Sequence, residues 1–145
     1  SRITDAGRIA LAADALGAAE RSLERAVAYA QDRKQFERVI ASFQAVKHMC
    51  AEVAAELEPL RSLVWYAAFA WDERLEDSSR VSALVKAHAG EVAVRATTTT
   101  LQVFGGMGFT WECDAHLWFK RAGYDRQMLG SPVDMRARAA DLARV

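Results

Sequence analysis

The chain has no surplus of either charge: 19 Lys and Arg balance 19 Asp and Glu over 145 residues. Zero net charge removes the electrostatic footprint by which a protein displaces counterions from phosphates, so neither nucleic acid nor a charge-driven membrane surface is expected as a partner. Long apolar runs are missing too. No stretch of about 18 uncharged apolar residues occurs, and Arg2, Asp5 and Arg8 break up the N-terminus, which argues against a spanning helix or a signal peptide. The two cysteines, Cys50 and Cys113, form no CxxC and read as packing thiols of a reducing, cytoplasmic compartment. Proline (2) and glycine (8) are scarce whereas alanine occurs 29 times, a balance that favours long helices over strands.

The hydrophobic pattern agrees. From about Asp5 to Asp32, Ile9, Leu16, Leu23 and Val27 recur at helical spacing opposite a charged face of Glu20, Arg21, Glu24 and Arg25. Residues 33–37 interrupt the pattern as a short connector. Ile40, Phe43, Val46, Cys50, Val53, Leu57, Leu60, Val64, Ala67, Trp71 and Leu75 then step by three and four. They predict a helix of about 35 residues that Pro59 would bend. Asp77-Ser78-Ser79 offers an N-cap for a third helix, about Arg80 to Phe104, with Val81, Leu84, Val85, His88, Val92 and Val103 inward. A shorter helix from about Asp114 to Met128 and a last one opened by Ser131-Pro132, reaching about Ala143, complete the chain. No linker or repeat divides residues 1–145, so the expected fold is all-α: one up-and-down helix bundle with short terminal helices.

Few residues carry obvious chemistry. His48, His88 and His116 stand in no HExxH or ExxH spacing, so no metal site is expected, and Glu112 with His116 reads as a surface pair. Trp65, Trp71, Trp111 and Trp118 read as core or interface residues, since no basic groove accompanies them. Gly105-Gly106-Met107-Gly108 lacks the Lys-Ser/Thr of a phosphate loop, and Trp111 stands where a dinucleotide fingerprint needs its third glycine. Two readings of this loop stay open: a tight turn between packed helices, or bare backbone that a ligand can approach. Thr97 to Thr100, awkward for a helix, either lets two helices meet or faces water.

Three ordered stretches, Arg33-Lys34-Gln35-Phe36, then residues 43–48 (FQAVKH), then residues 101–112 (LQVFGGMGFTWE), resemble the C-terminal domain of acyl-CoA dehydrogenases. The resemblance covers nearly the whole chain. Residues 109–117 further resemble an actinobacterial branch, some of whose members act on sterol side chains as mixed two-subunit assemblies. It implies a fragment of a larger flavoenzyme subunit: an FAD-dependent dehydrogenase that removes an α-proton and a β-hydride from acyl-CoA and passes electrons to an electron-transfer flavoprotein. It also implies a homo- or hetero-oligomer, dimer or tetramer, with flavin pockets shared between subunits. By the same resemblance Arg33, Phe36, Gln44, Gln102, Gly105, Gly106 and Ser131 bind FAD, and Asp5 and Arg8 meet the CoA substrate. The residue types suit these roles: a guanidinium fork for pyrophosphate, an apolar ring for adenine, glycines that leave room for a bulky ligand.

Two departures bear on catalysis. The family's usual catalytic glutamate falls on Leu129, and its alternative position, just before the arginine of the first helix, falls on Gly7. Neither residue can accept a proton, so no catalytic residue is assigned. Asp125, one turn before Leu129, is the nearest local carboxylate, and its simpler reading is a solvated helix residue. Glu37 replaces the glycine that usually follows Arg-x-x-Phe. The alternatives to a self-sufficient enzyme are therefore a catalytically silent subunit or a non-catalytic helical assembly module.

Overall fold

The computed structural model describes residues 1–143 as a helix bundle. Helix α1 spans Arg2–Asp32, α2 Gln44–Asp72, α3 Ser78–Phe104, α4 Ala115–Gln127 and α5 Pro132–Asp141. No helix among the described residues is long and apolar enough to cross a membrane.

Helix α3 is the axis of the bundle and packs against the other four. Alanine makes its contact with α1 close: Ala12, Ala15 and Ala19 meet Ala89, Ala93 and Ala96 in one buried cluster with Val53, Leu57 and Leu60 of α2. Short side chains on facing helices let two backbones approach while excluding water, so a composition favourable to helix formation also sets the packing distance. Chain direction follows from paired residues. Arg61 of α2 reaches back to Glu20 at 2.6 Å, Ser79 donates to Asp5 at 2.8 Å, and Arg121 of α4 grips Asp14 at 2.6 and 2.7 Å. Helices α1 and α3 therefore run together, and α2 and α4 run against them.

Several expectations need correction. Helix α2 has 29 residues because Ile40–Ser42 forms a separate 3-10 turn and extended Phe43 precedes the first helical residue. Ile40 keeps the helical spacing because it packs on the cluster of Ala26, Ala30, Leu101 and Phe104, whereas half-buried Phe43 meets Phe36 and Arg38 of the hairpin. Leu75 lies beyond α2 and is exposed, whereas α2 does continue through Pro59, as its spacing predicts. Asp77 does precede α3, but its carboxylate turns to Arg80 at 3.3 Å instead of capping, and α3 starts at Ser78. His88 is exposed, whereas Lys86, two positions earlier, is buried. Of the four tryptophans only Trp71, half-buried, packs against the core cluster; Trp118 is half-buried, and Trp65 and Trp111 are exposed.

The connector is a miniature hairpin. Strands β1 (Lys34–Gln35) and β2 (Arg38–Val39) pair antiparallel around a two-residue tip. The threonine run divides: Thr97 and Thr100 are buried, with the Thr100 hydroxyl meeting that of Ser22 on α1, while Thr98 is exposed. Thr97 and Thr98 return their hydroxyls to the carbonyls of Ala93 and Val94 at 2.7 and 2.6 Å, which satisfies them without breaking the helix.

Candidate functional site

At one end of the bundle, the tip of the hairpin holds Phe36 and Glu37 at φ 53° and 63°, the left-handed pair that a two-residue turn requires. The turn pushes the Phe36 ring outward, 86% exposed, 6.2 Å edge-on from the Phe43 ring; Arg38 lies 3.9 Å from the Phe43 centroid. Arg33 closes α1 by donating its N–H to Tyr29 at 2.8 Å, leaving its guanidinium exposed beside the hairpin. The Tyr29 ring packs 4.9 Å from Phe104, so the end of α3 stands next to the end of α1. Exposed Gln44 opens α2 at this end and exposed Gln102 lies in the last turn of α3.

The glycine loop does both things that its sequence allows. Gly105 ends α3 at φ 60°, and neither Gly105 nor Gly106 has anything within 4 Å of where a Cβ would stand. A Cβ on Gly108 would meet Leu101 Cδ1 at 2.8 Å and the Leu101 carbonyl at 3.2 Å. Gly108 therefore serves the fold, and Gly105-Gly106 presents open backbone. Arg33, Phe36, Gln44, Gln102, Gly105 and Gly106 share this end and are all exposed.

The remaining predicted residues gather at the opposite end, about 37 Å away along α1 at 1.5 Å per residue. There a Cβ on Gly7 would come 2.7 Å from Leu129 Cδ1, so the two positions without a carboxylate touch. Leu129 is held at φ 55° and its carbonyl accepts from Arg8 Nε at 3.2 Å. Asp5 and Arg8 are buried and joined at 2.8 Å. Burial pushes the Asp5 carboxyl up, but hydrogen bonds from Ser79, Ser82 and Arg8 outweigh it and leave Asp5 below its ordinary value. Ser131 spends its hydroxyl on a capping box with Asp134 that starts α5.

A scan of family descriptions matches residues 2–141 to the C-terminal domain of acyl-CoA dehydrogenases. The chain belongs to the acyl-CoA dehydrogenase family. The acyl-CoA dehydrogenase IpdE2 of Mycolicibacterium smegmatis is 38% identical over 136 residues, 94% of this chain and 42% of that protein. Butyryl-CoA dehydrogenase from Megasphaera elsdenii superposes with a TM-score of 0.91 at 32% identity, covering 95% of this chain and 36% of that one. The Tcur3481-Tcur3483 steroid ACAD does so with a TM-score of 0.90 at 30% identity, covering 95% and 38%. The chain thus spans about two fifths of the length of the relatives it matches.

Within this acyl-CoA dehydrogenase domain, the sequence pointed to Asp125 only as the carboxylate nearest Leu129, and did not point to Lys86. Asp125 is 5% exposed rather than solvated, facing Asp14 across the α1–α4 seam. Burial, then the Asp14 carboxyl, pushes it up to about 6. Lys86 is 1% exposed and donates to the carbonyls of Arg126 and Gly130 at 3.3 and 3.2 Å. Its signal was its place four residues after Ser82 and seven before Ala93, in register with the buried stripe of α3.

Proposed function

We propose that the protein carrying this domain is an FAD-dependent acyl-CoA dehydrogenase working as an oligomer, in which this chain supplies a wall for the flavin nucleotide and a partner subunit supplies the base. The observation that carries this reading is the contact between Gly7 and Leu129: the two positions to which the resemblance assigns the family's glutamate are adjacent, and neither residue is a carboxylate. The usual chemistry would need a proton acceptor at this point, and leucine cannot serve as one.

The residues at the hairpin end fit the cofactor. Open backbone at Gly105-Gly106 accepts a close approach that a Cβ would fill, with Arg33 for a pyrophosphate, Phe36 for an adenine face, and the amides of Gln44 and Gln102 for polar edges. Bound FAD would supply the hydride acceptor. Ser131 lies at the other end, farther off than an extended dinucleotide reaches, so this reading assigns it and the hairpin set to flavins of different subunits. The Arg8 hydrogen bond to Leu129 fixes the loop that lines the reacting end. Acyl-CoA is the substrate class, with Asp5 and Arg8 acting there through the wall they brace; likeness to a steroid ACAD favours a bulky acyl group. Electron-transfer flavoprotein is the expected electron acceptor, and the cytoplasm the expected place. A non-catalytic assembly module would have no use for an open glycine loop beside an exposed arginine and glutamine.

The test is acyl-CoA-dependent flavin bleaching by the full-length protein, alone and mixed with a second acyl-CoA dehydrogenase subunit. Bleaching that needs the partner supports the reading. Bleaching by the lone protein that disappears in Asp125→Asn would overturn it and make Asp125 a local base.

A further inference from the structure

Lys86 sits on the buried stripe of α3 between Ser82 and Gly90, and the functional reading leaves its charge unused. Packing alone does not call for an ammonium there. An apolar side chain of similar length would fill the space without the cost of desolvating a charge, and burial does push the Lys86 ammonium below its ordinary value. What the ammonium meets is two backbone carbonyls, Arg126 at 3.3 Å and Gly130 at 3.2 Å. Gly90, one turn along α3, explains how they come within reach. A Cβ there would stand 3.3 Å from the Cα of Arg126, so the glycine lets the end of α4 lie down on α3. Arg126 belongs to the last turn of α4, where carbonyls lack helical partners and a cation answers the negative end of the helix dipole.

The two carbonyls bracket a strained corner. Leu129 stands at φ 55° and Gly130 at φ 113°, and a leucine holds the left-handed conformation only under restraint. Between them in the chain, the Leu129 carbonyl accepts from Arg8 Nε of α1 at 3.2 Å. Successive carbonyls of the loop are thus taken by buried cations of two different helices. The side chain so held is that of Leu129, whose Cδ1 lies 2.7 Å from where a Cβ on Gly7 would stand. We infer that Lys86 is a positioning residue: by clasping the Arg126 and Gly130 carbonyls, it keeps Leu129 and Gly130 in the left-handed conformation that lays the side chain of residue 129 on Gly7. The Arg8 tether alone would leave the peptide planes on either side of it free to turn, and the clasp removes that freedom by tying the loop back to α4. The clasp stands on these contacts by themselves. Its use, keeping the wall of the reacting end in register with a bound acyl group, rests on the proposed function.

The experiment is NMR of the full chain carrying Lys86→Met, which keeps an unbranched stem and removes the charge. The expected result is loss of the contact between the Leu129 methyls and the Gly7 α-protons, with shifted amide signals in residues 127–131 and unmoved signals for Ala12 and Ala93 in the α1–α3 core. An undisturbed Leu129–Gly7 contact overturns the proposal, and so do shifts spread through the whole bundle, which would make Lys86 a packing residue. Should Lys86→Met fail to fold, the wild-type chain decides: its Lys86 ammonium protons should exchange slowly with water and couple across hydrogen bonds to both carbonyl carbons, and freely exchanging protons overturn the clasp. The use is tested apart, by flavin bleaching of the full-length protein with its partner subunit. Lys86→Met should slow bleaching about tenfold or more, and leave the acyl-CoA concentration for half the maximal rate within about threefold. Bleaching at the wild-type rate by a variant that has lost the contact overturns that use and leaves the clasp standing. Absence of bleaching in the wild-type mixture overturns the proposed function and the use together, and the NMR result still decides the clasp.

Discussion

Glu37 at φ 63° occupies the second place of a turn that wants glycine. A side chain there carries the left-handed penalty, partly offset because glycine loses more freedom on folding. Glu37→Gly is therefore expected to gain about 0.5–1 kcal/mol, read as a raised melting temperature, with the hairpin unchanged. Asp5 presents the opposite case. Its buried carboxylate is the partner of Arg8 and the acceptor of the Ser79 hydroxyl at 2.8 Å. Asp5→Ala leaves a buried guanidinium short of its counter-charge, so urea unfolding should show a loss of about 3 kcal/mol. Glu37 stood out only through the glycine that the resemblance expects there, and the burial of Asp5 was not legible, since an aspartate in a first helical turn is an ordinary surface choice.

Among the elements, the same substitution type should act in opposite directions on two helices. Gly17 of α1 has nothing within 4 Å of a Cβ position, so Gly17→Ala adds helix propensity and is expected to stabilise by about 0.5–1 kcal/mol. Gly90 of α3 lies where a Cβ would stand 3.3 Å from the Cα and Cγ of Arg126, a contact with backbone that cannot swing away. Gly90→Val should cost about 1–3 kcal/mol by forcing α4 from α3, and denaturant midpoints of the two variants check the pair. Period and composition made the five helices legible, with ends displaced by a few residues where a 3-10 turn or an unused cap intervened. They could not show the hairpin: Lys34 to Val39 contains no glycine, and two-residue strands leave no period to read.

Across the molecule, the pH response combines opposing carboxylates. The folded-state pKa of Asp125 is raised from 3.8 to about 6, so its contribution to stability is fully present below 3.8 and lost as pH rises through about 6. Asp5 is lowered, so its contribution is present above 3.8 and lost as pH falls. The folded chain should therefore pass through a stability maximum in mildly acid solution. Asp125→Asn, which removes only the first effect, should gain most over wild type above about pH 6 and gain little near pH 4. Denaturant midpoints measured across that range test the sign.

By itself the sequence determined the class of fold, because alanine content and a sustained three-and-four spacing leave only a helix bundle able to bury that apolar stripe. Its ordered motifs also pointed to the family. The tertiary structure alone decided which residues meet: that Gly7 touches Leu129 from 122 positions away, that Arg33 and Gln102 share one end, and that Lys86 and Asp125 are buried while His88 is not. Periodicity reports which face of a helix turns inward, but contacts between distant helices depend on how those faces pack, and only three dimensions fix that.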